Sequence, residues 1–269
     1  IVITFTALAG LAVAGGPGLT SLQLAVLTLA VLLSSASAGA FNQYYEHDID
    51  PLMSRTRKRV FATGEVAHGP IWLVVIVGLM ALSVMAAWLA LNAWSALFVF
   101  LGAFFYAIVY TVWLKRRTWL NIVFGGLAGS WAVLAGATAA APDIGALPLA
   151  LAFILFLWTP PHFWSLAIAF RDDYAAAKVP MLPVVVGDKR AAQTVFASTI
   201  ALVAVSLLPA ILGLGSIYLA GACIGGAWFI YKAWHLSRNP TRATAMSCFH
   251  ASLAQLTLVL TAAIIDARF

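Results

Sequence analysis

Asn42, Glu46 and Asp50 recur every four residues, with Asp48 between them and Arg55, Arg57, Lys58 and Arg59 directly after. The chain has only nine acidic residues, and three of them fall within five positions here. At 3.6 residues per turn a four-residue step drifts only about 40°, so a helix continuing to Asp50 lines the three up along one face. Asp48 points off that stripe, and Pro51 weakens the helix just at Asp50. Three oxygen-bearing side chains in a row suit Mg²⁺, which prefers a few carboxylates plus substrate phosphate oxygens to a full protein cage. The cations that follow suit those phosphates, Arg by bidentate contacts. Arg55 and Arg59 are the favoured pair, while some of the others serve as membrane anchors. A solvated acidic helix end is the plain alternative. It is weakened because Asn42 lies level with apolar Ala38 to Phe41, where polar groups are costly and usually functional.

Two more clusters have polar character. Tyr110-Thr111 leads into Lys115-Arg116-Arg117, giving a polar edge that faces the same side, or simply a basic anchor. Farther on come Trp158-Thr159-Pro160-Pro161-His162-Phe163-Trp164, then Arg171-Asp172-Asp173-Tyr174, then Lys178 to Pro183. Adjacent prolines interrupt a helix's hydrogen bonding, which a membrane span tolerates where its backbone lines a cavity. His162, just past that break, is therefore a substrate-contact candidate. Asp172 and Asp173 form a natural second metal site, against the reading of a solvated loop. His47 adjoins the acidic block and is a candidate contact to substrate or metal. His235 and His250 read as packing or interface residues, and Cys223 and Cys248, which lack metal-ligand spacing, as packing residues.

The elements that position these residues are membrane helices. The chain is 63% hydrophobic and 9% charged, with apolar residues far beyond what a core uses, so its solvent is lipid. Apolar runs of roughly 20 residues give nine spans, near 1–15, 20–44, 69–91, 93–113, 118–141, 147–170, 191–213, 215–236 and 243–266. The expected fold is an all-α membrane bundle read as one domain over 1–269. The first span is short and begins at Ile1, so its start and a cytoplasmic leader are expected to precede the numbering. Fourteen of the fifteen Lys and Arg fall in alternate connections, with only Arg268 on the other side. By the positive-inside rule those connections are cytoplasmic, which places the acidic block at that face. The basic balance is thus a topology signal and carries no nucleic-acid binding. Connections 51–68 and 171–190 are the long ones, and both run from acidic to basic, as two loops facing each other across a bundle would. Glycines at Gly125, Gly126 and Gly129 and from Gly221 to Gly226 read as close helix packing.

The Asn42–Asp50 block with Arg55-Thr56, together with Tyr110 to Arg116 and Asn121 to Gly126, resembles the UbiA superfamily of intramembrane prenyltransferases. Asp48-Ile49-Asp50 with Met53, Pro161-His162-Phe163-Trp164 and the stretch from Asp173-Tyr174 to Val185 resemble its protohaem IX farnesyltransferase branch. The resemblance implies nine helices around a central cavity under cytoplasmic cap loops, in a bacterial inner membrane. It implies farnesyl diphosphate as donor, haem b as acceptor, Mg²⁺ (or Mn²⁺) as the ion, and contact with haem-delivering or oxidase-assembly proteins. Carried over, Asn42, Glu46 and Asp50 hold the metal and diphosphate, and Asp172 and Asp173 a second metal. Arg55, Arg59, Lys115 and Arg116 neutralise pyrophosphate, and Tyr110, Asn121, His162, Trp164, Tyr174 and His47 meet substrate. Glu46 stands where the superfamily commonly has Asp, and His162 lies near where other branches begin their second acidic motif. The rivals are a prenyltransferase with a quinone or chlorophyll precursor as acceptor and, from another class, a membrane ion transporter. The transporter predicts charges near mid-membrane in several spans, whereas this chain keeps nearly all of them at one face.

Overall fold

The computed structural model describes residues 2–267, and among them every regular element is helical. The main rods are α1 (Val2–Val13), α2 (Ser21–Tyr45), α3 (Pro70–Ala90), α4 (Ala93–Leu114), α5 (Asn121–Ala140), α6 (Ala146–Ala169), α7 (Asp188–Ile211), α8 (Ser216–Arg238) and α9 (Arg242–Asp266). Seven of them are long and apolar enough to cross a bilayer. The other two expected spans differ: α1 has 12 residues, and α8, which carries Lys232, His235 and Arg238, is not among the seven. Arg268, the one cation expected on the opposite side, lies outside the described residues.

The outward faces are greasy. Along α3, Ile71, Val74, Val77, Leu82, Trp88 and Leu89 are all exposed. Water would not tolerate so large an apolar surface, and lipid requires it. This is an integral membrane protein.

Neighbours in sequence pack as neighbours in space, and α1 touches both α2 and α9, so the rods close on themselves. The tightest crossing is α1 on α5. A Cβ at Gly10 would strike the Val133 carbonyl, and one at Gly136 would strike the Ala7 carbonyl. Two glycines thus press each backbone against the other, which packing in lipid favours. Cys248 is buried in that packing regime, but Cys223 is exposed on α8, so only one of the two cysteines is a packing residue.

All four basic connections meet at one end. Arg116 pairs with Asp48, Ser54 donates to Asp173, Lys189 Nζ donates to the Ser237 carbonyl at 2.7 Å, and Arg242 lies over the Phe170 ring. The two long connections do face each other. Beneath this basic face a cavity of about 310 Å³ opens among α1, α4, α5, α6 and α9. A second, about 330 Å³ and almost wholly apolar, runs on from it between α2 and α4. They share Ile3, Tyr106, Ala128 and Phe163.

Candidate active site

The acidic stripe survives although its helix does not. Regular α-helix stops at Tyr45, and Asp50 opens a single 3₁₀ turn with Pro51 next, where the missing N–H costs nothing. Yet the Glu46 N–H donates to the Asn42 carbonyl and the Asp50 N–H to the Glu46 carbonyl, both at 2.9 Å. Those two bonds keep the four-residue spacing on one face. All three side chains are buried, Glu46 fully and Asp50 to within 1%.

Buried carboxylates need partners, because an unpaired charge out of water is very costly. Lys115 Nζ donates to Glu46 Oε2 at 2.6 Å and stands 2.5 Å from Oε1. Arg59 Nη1 donates to both Asp50 oxygens at 3.0 Å and to Asn42 Oδ1 at 3.2 Å. Asn42 Nδ2 donates to Thr111 Oγ1, whose own proton goes to the Tyr106 carbonyl. Two carboxylates therefore face two cations across an amide. Burial pulls the Lys115 ammonium below its ordinary pKa, with Glu46 opposing that shift.

A wide turn puts Lys115 there. Residues Phe105–Leu114 form a π-helix, and the Lys115 N–H bonds the Tyr110 carbonyl five residues back. Such winding spends about one more residue per turn than the α-helix. It brings Tyr106, Tyr110 and Lys115 onto one side, where α-winding would turn Lys115 away. Tyr106 stacks on Tyr110, whose ring lies 5.6 Å from Lys115 Nζ. At Gly125 a Cβ would sit 3.0 Å from the Tyr110 ring, so glycine is what admits the ring. The following α5 is broken at Gly126, where a side chain would meet Thr159.

Asn42, Arg55, Arg59, Tyr110, Lys115 and Tyr174 line the mouth of the cavity, and His162 its depth. Burial raises the Tyr174 phenol above its usual pKa, and Arg55 opposes this. His162 is in a helix that remains continuous through Pro160 and Pro161, a departure from the expected break. The imidazole is stacked between Trp158 and Phe249, with centroids at 4.0 and 4.4 Å. Ser252 Oγ gives its proton to the Phe249 carbonyl at 2.6 Å, so the 2.7 Å contact to His162 must use an Nδ1–H. That tautomer leaves the Nε2 lone pair for another partner.

Other expected residues stand outside the cavity lining. Arg116 forms a two-pronged pair with Asp48 at 2.7 and 2.8 Å, which holds the Asp48 carboxyl below its usual pKa. Asn121 donates to the Thr118 and Lys115 carbonyls and so secures the turn that carries Lys115. Trp164 packs near Trp119, and His47 lies tilted against His68 at the exposed rim. Asp172 is exposed, while Asp173 Oδ2 accepts from the Ser54 N–H and hydroxyl at 2.8 and 2.6 Å. Among the described residues no three His, Cys, Asp or Glu side chains converge as a metal cage. The sequence reading missed Tyr106, Ser54 and Ser252, and gave Phe163 no role beyond its place in the Pro161–Trp164 motif. Only Tyr106 left a signal, one helical repeat before Tyr110.

The donor set at the stripe nonetheless suits Mg²⁺. It offers two carboxylates and an amide oxygen, which leaves coordination places for phosphate oxygens. Glu46 Oε1 has no aligned hydrogen-bond donor, but Lys115 Nζ stands 2.5 Å from it, so an ion taking this oxygen would displace that ammonium.

The pattern that defines the UbiA prenyltransferase family matches residues 3–258. The chain is 59% identical over 240 residues to protoheme IX farnesyltransferase 2 of Paramagnetospirillum magneticum, covering 89% of this chain and 83% of that one. The fold is similar to a UbiA homolog from Aeropyrum pernix K1, with TM-score 0.77, 22% identity and 100% and 98% of the two chains covered. It is also similar to a UbiA homolog from Archaeoglobus fulgidus bound to DMAPP and Mg²⁺, with TM-score 0.70, 14% identity and 96% and 95% covered.

Proposed function

The chain belongs to the UbiA prenyltransferase family, and on that premise we propose that it moves a farnesyl group from farnesyl diphosphate to a vinyl group of haem b. The product is hydroxyethylfarnesyl haem. One observation carries this reading: of two adjoining cavities that share Tyr106, the first has Asn42, Arg55, Arg59 and Lys115 at its mouth and the second extends it with an apolar interior. An amphipathic diphosphate fits that division end to end. The name borne by the relative from P. magneticum supports haem as the acceptor.

Asn42, Glu46 and Asp50 would hold Mg²⁺, with Asp172 and Asp173 serving a second ion once Ser54 releases Asp173. The ion supplies neutralisation of the diphosphate's charge as it departs, and Mn²⁺ would serve the same role. Arg59 and Lys115, now on the carboxylates, would turn to the phosphate oxygens, with Arg55 beside them. Fixed cations in a dry site stabilise the leaving group far more than water does. The allylic carbon loses pyrophosphate, the haem vinyl group attacks it, and water adds to the resulting cation and gives up a proton, leaving the hydroxyl. Phe163, Trp158 and the apolar extension keep water out before that last step. His162 Nε2 meets the haem, through its lone pair at iron or, once protonated, at a propionate. We read residues 1–269 as one domain in a bacterial inner membrane, with this site on the cytoplasmic side and reach of haem-delivering or oxidase-assembly proteins.

The test is direct. Purified protein given Mg²⁺, farnesyl diphosphate and haem b should yield a haem heavier by one farnesyl group and one hydroxyl in a mass-resolved assay. No new haem species with an active donor pool would overturn the reading. Prenylation of a quinone precursor instead would leave the family and change the acceptor.

A further inference from the structure

A second amphipathic site lies on the outside of the bundle, in the hairpin of α8 and α9. Between these helices an open groove of about 820 Å³ is floored by Gly225 and walled by Ile224, Trp228, Ala254 and Leu258. At Tyr231 it runs into a smaller pocket of about 210 Å³ lined by Lys232, His235, Thr244 and Ser247. The first is apolar, and the second is polar and cationic.

The heights match a bilayer. Tyr231 at the junction, and Trp228 and Trp234 about one turn to either side of it, are each about half exposed, and exposed Trp and Tyr collect at the headgroup level. The apolar groove therefore lies at acyl-chain depth and the polar pocket at the headgroups of the basic face. The charge there is unbalanced. Arg59, Lys115, Arg116 and Arg171 each pair with a carboxylate. Lys232 pairs with none among the described residues, and instead lies over the Trp228 and Tyr231 rings at 4.6 and 5.5 Å. From Lys189 to Ile265 the sequence has no acidic residue at all. A half-buried ammonium held over two rings beside a serine hydroxyl, at the end of an acyl-sized groove, is complementary to a lipid phosphate.

We propose that this groove binds an anionic phospholipid, with its headgroup at Lys232, His235 and Ser247 and one acyl chain along Gly225 and Ala254. Basic pockets between transmembrane helices take anionic lipid in this way. The site is separate from the catalytic cavity and does not depend on the acceptor's identity.

The test uses the full chain in detergent, with phosphatidylglycerol, phosphatidylcholine and inorganic phosphate as probes, read by native mass spectrometry and by melting temperature. Phosphatidylglycerol should stay bound and raise the melting temperature, while phosphatidylcholine and phosphate do neither. Lys232→Gln should weaken phosphatidylglycerol about fivefold, the worth of one lysine at an anionic membrane surface. Ala254→Phe, at an exposed position, should fill the groove and displace the lipid without loss of folding. Equal retention of the two lipids, or unchanged binding in both variants, overturns the proposal. So does a dimer that Ala254→Phe dissociates, or haem b displacing phosphatidylglycerol stoichiometrically.

Discussion

Two acidic clusters that look alike in the sequence are treated in opposite ways by the fold. Glu46 and Asp50 are sealed beneath the basic face and matched by Lys115 and Arg59. Asp172 and Asp173 stay at the rim, one exposed and the other latched to Ser54 across the two long connections. The cause is local. The first cluster rides the end of a 25-residue helix whose i to i+4 bonding persists to Asp50 and aims it inward. The second opens a six-residue helix after Phe170, where the chain has already left the bundle. Acids on a long helix inherit the bundle's interior, and acids on a short connector inherit its surface.

The largest effect should come from the buried cluster. Asp50→Ala removes the partner of Arg59 and a metal ligand together, and turnover should fall about 10²–10³-fold, the scale of losing a fixed electrostatic group. The protein should still insert and elute as wild type. Retained turnover would put the metal elsewhere.

Next is Lys115→Met, which leaves Glu46 with only the more distant Arg59, 3.8 Å away, as counter-charge. Breaking a buried pair from one side costs about 3–5 kcal/mol, so the melting temperature should drop sharply. Adding Glu46→Gln should recover much of that loss while activity stays absent. Failure of the second change to rescue stability would show that the pair is less buried than its geometry implies.

The rim cluster should respond more weakly. Ser54→Ala removes one of two hydrogen bonds to Asp173, a loss of about 1–2 kcal/mol for a bond to a charged group. The effect should appear as faster proteolysis of the 51–68 and 171–190 connections, with global melting little changed. If Asp173 also serves an ion, Mg²⁺ should protect those connections in the variant, and a Mg²⁺-independent cleavage rate would remove that role.

Much of this division was legible in the residues. Helix rods, the basic face and the stripe follow from apolar run length, alternate cations and four-residue spacing, all of which are local. Asp48 could be separated from its neighbours by the same angular argument. What was not legible depends on contacts distant in sequence. Nothing near Ser54 announces Asp173, and nothing near His162 announces Ser252, 90 residues on. The π-winding that brings Lys115 to Glu46 also escaped, because its sequence reads as an ordinary apolar helix. The prolines of α6 misled in the other direction: each lacks an N–H, yet the helix continues through both.

The smallest effect should belong to Asp48, which sits in the acidic block yet points out of it. Its carboxylate is 49% exposed and its partner Arg116 35% exposed, so solvent screens the pair despite two good hydrogen bonds. Asp48→Asn should therefore cost about 0.2–1 kcal/mol, the range of exposed pairs, and leave turnover intact. Because Arg116 lowers the folded-state pKa of Asp48, this contribution is complete above the unfolded carboxyl's value near pH 4. It fades as pH falls through the lower folded value. Melting temperatures of wild type and Asp48→Asn should accordingly differ at neutral pH and converge in acid. A large activity loss would instead move Asp48 onto the metal edge, and the contrast between buried and exposed acids would then have to be drawn within one turn of chain.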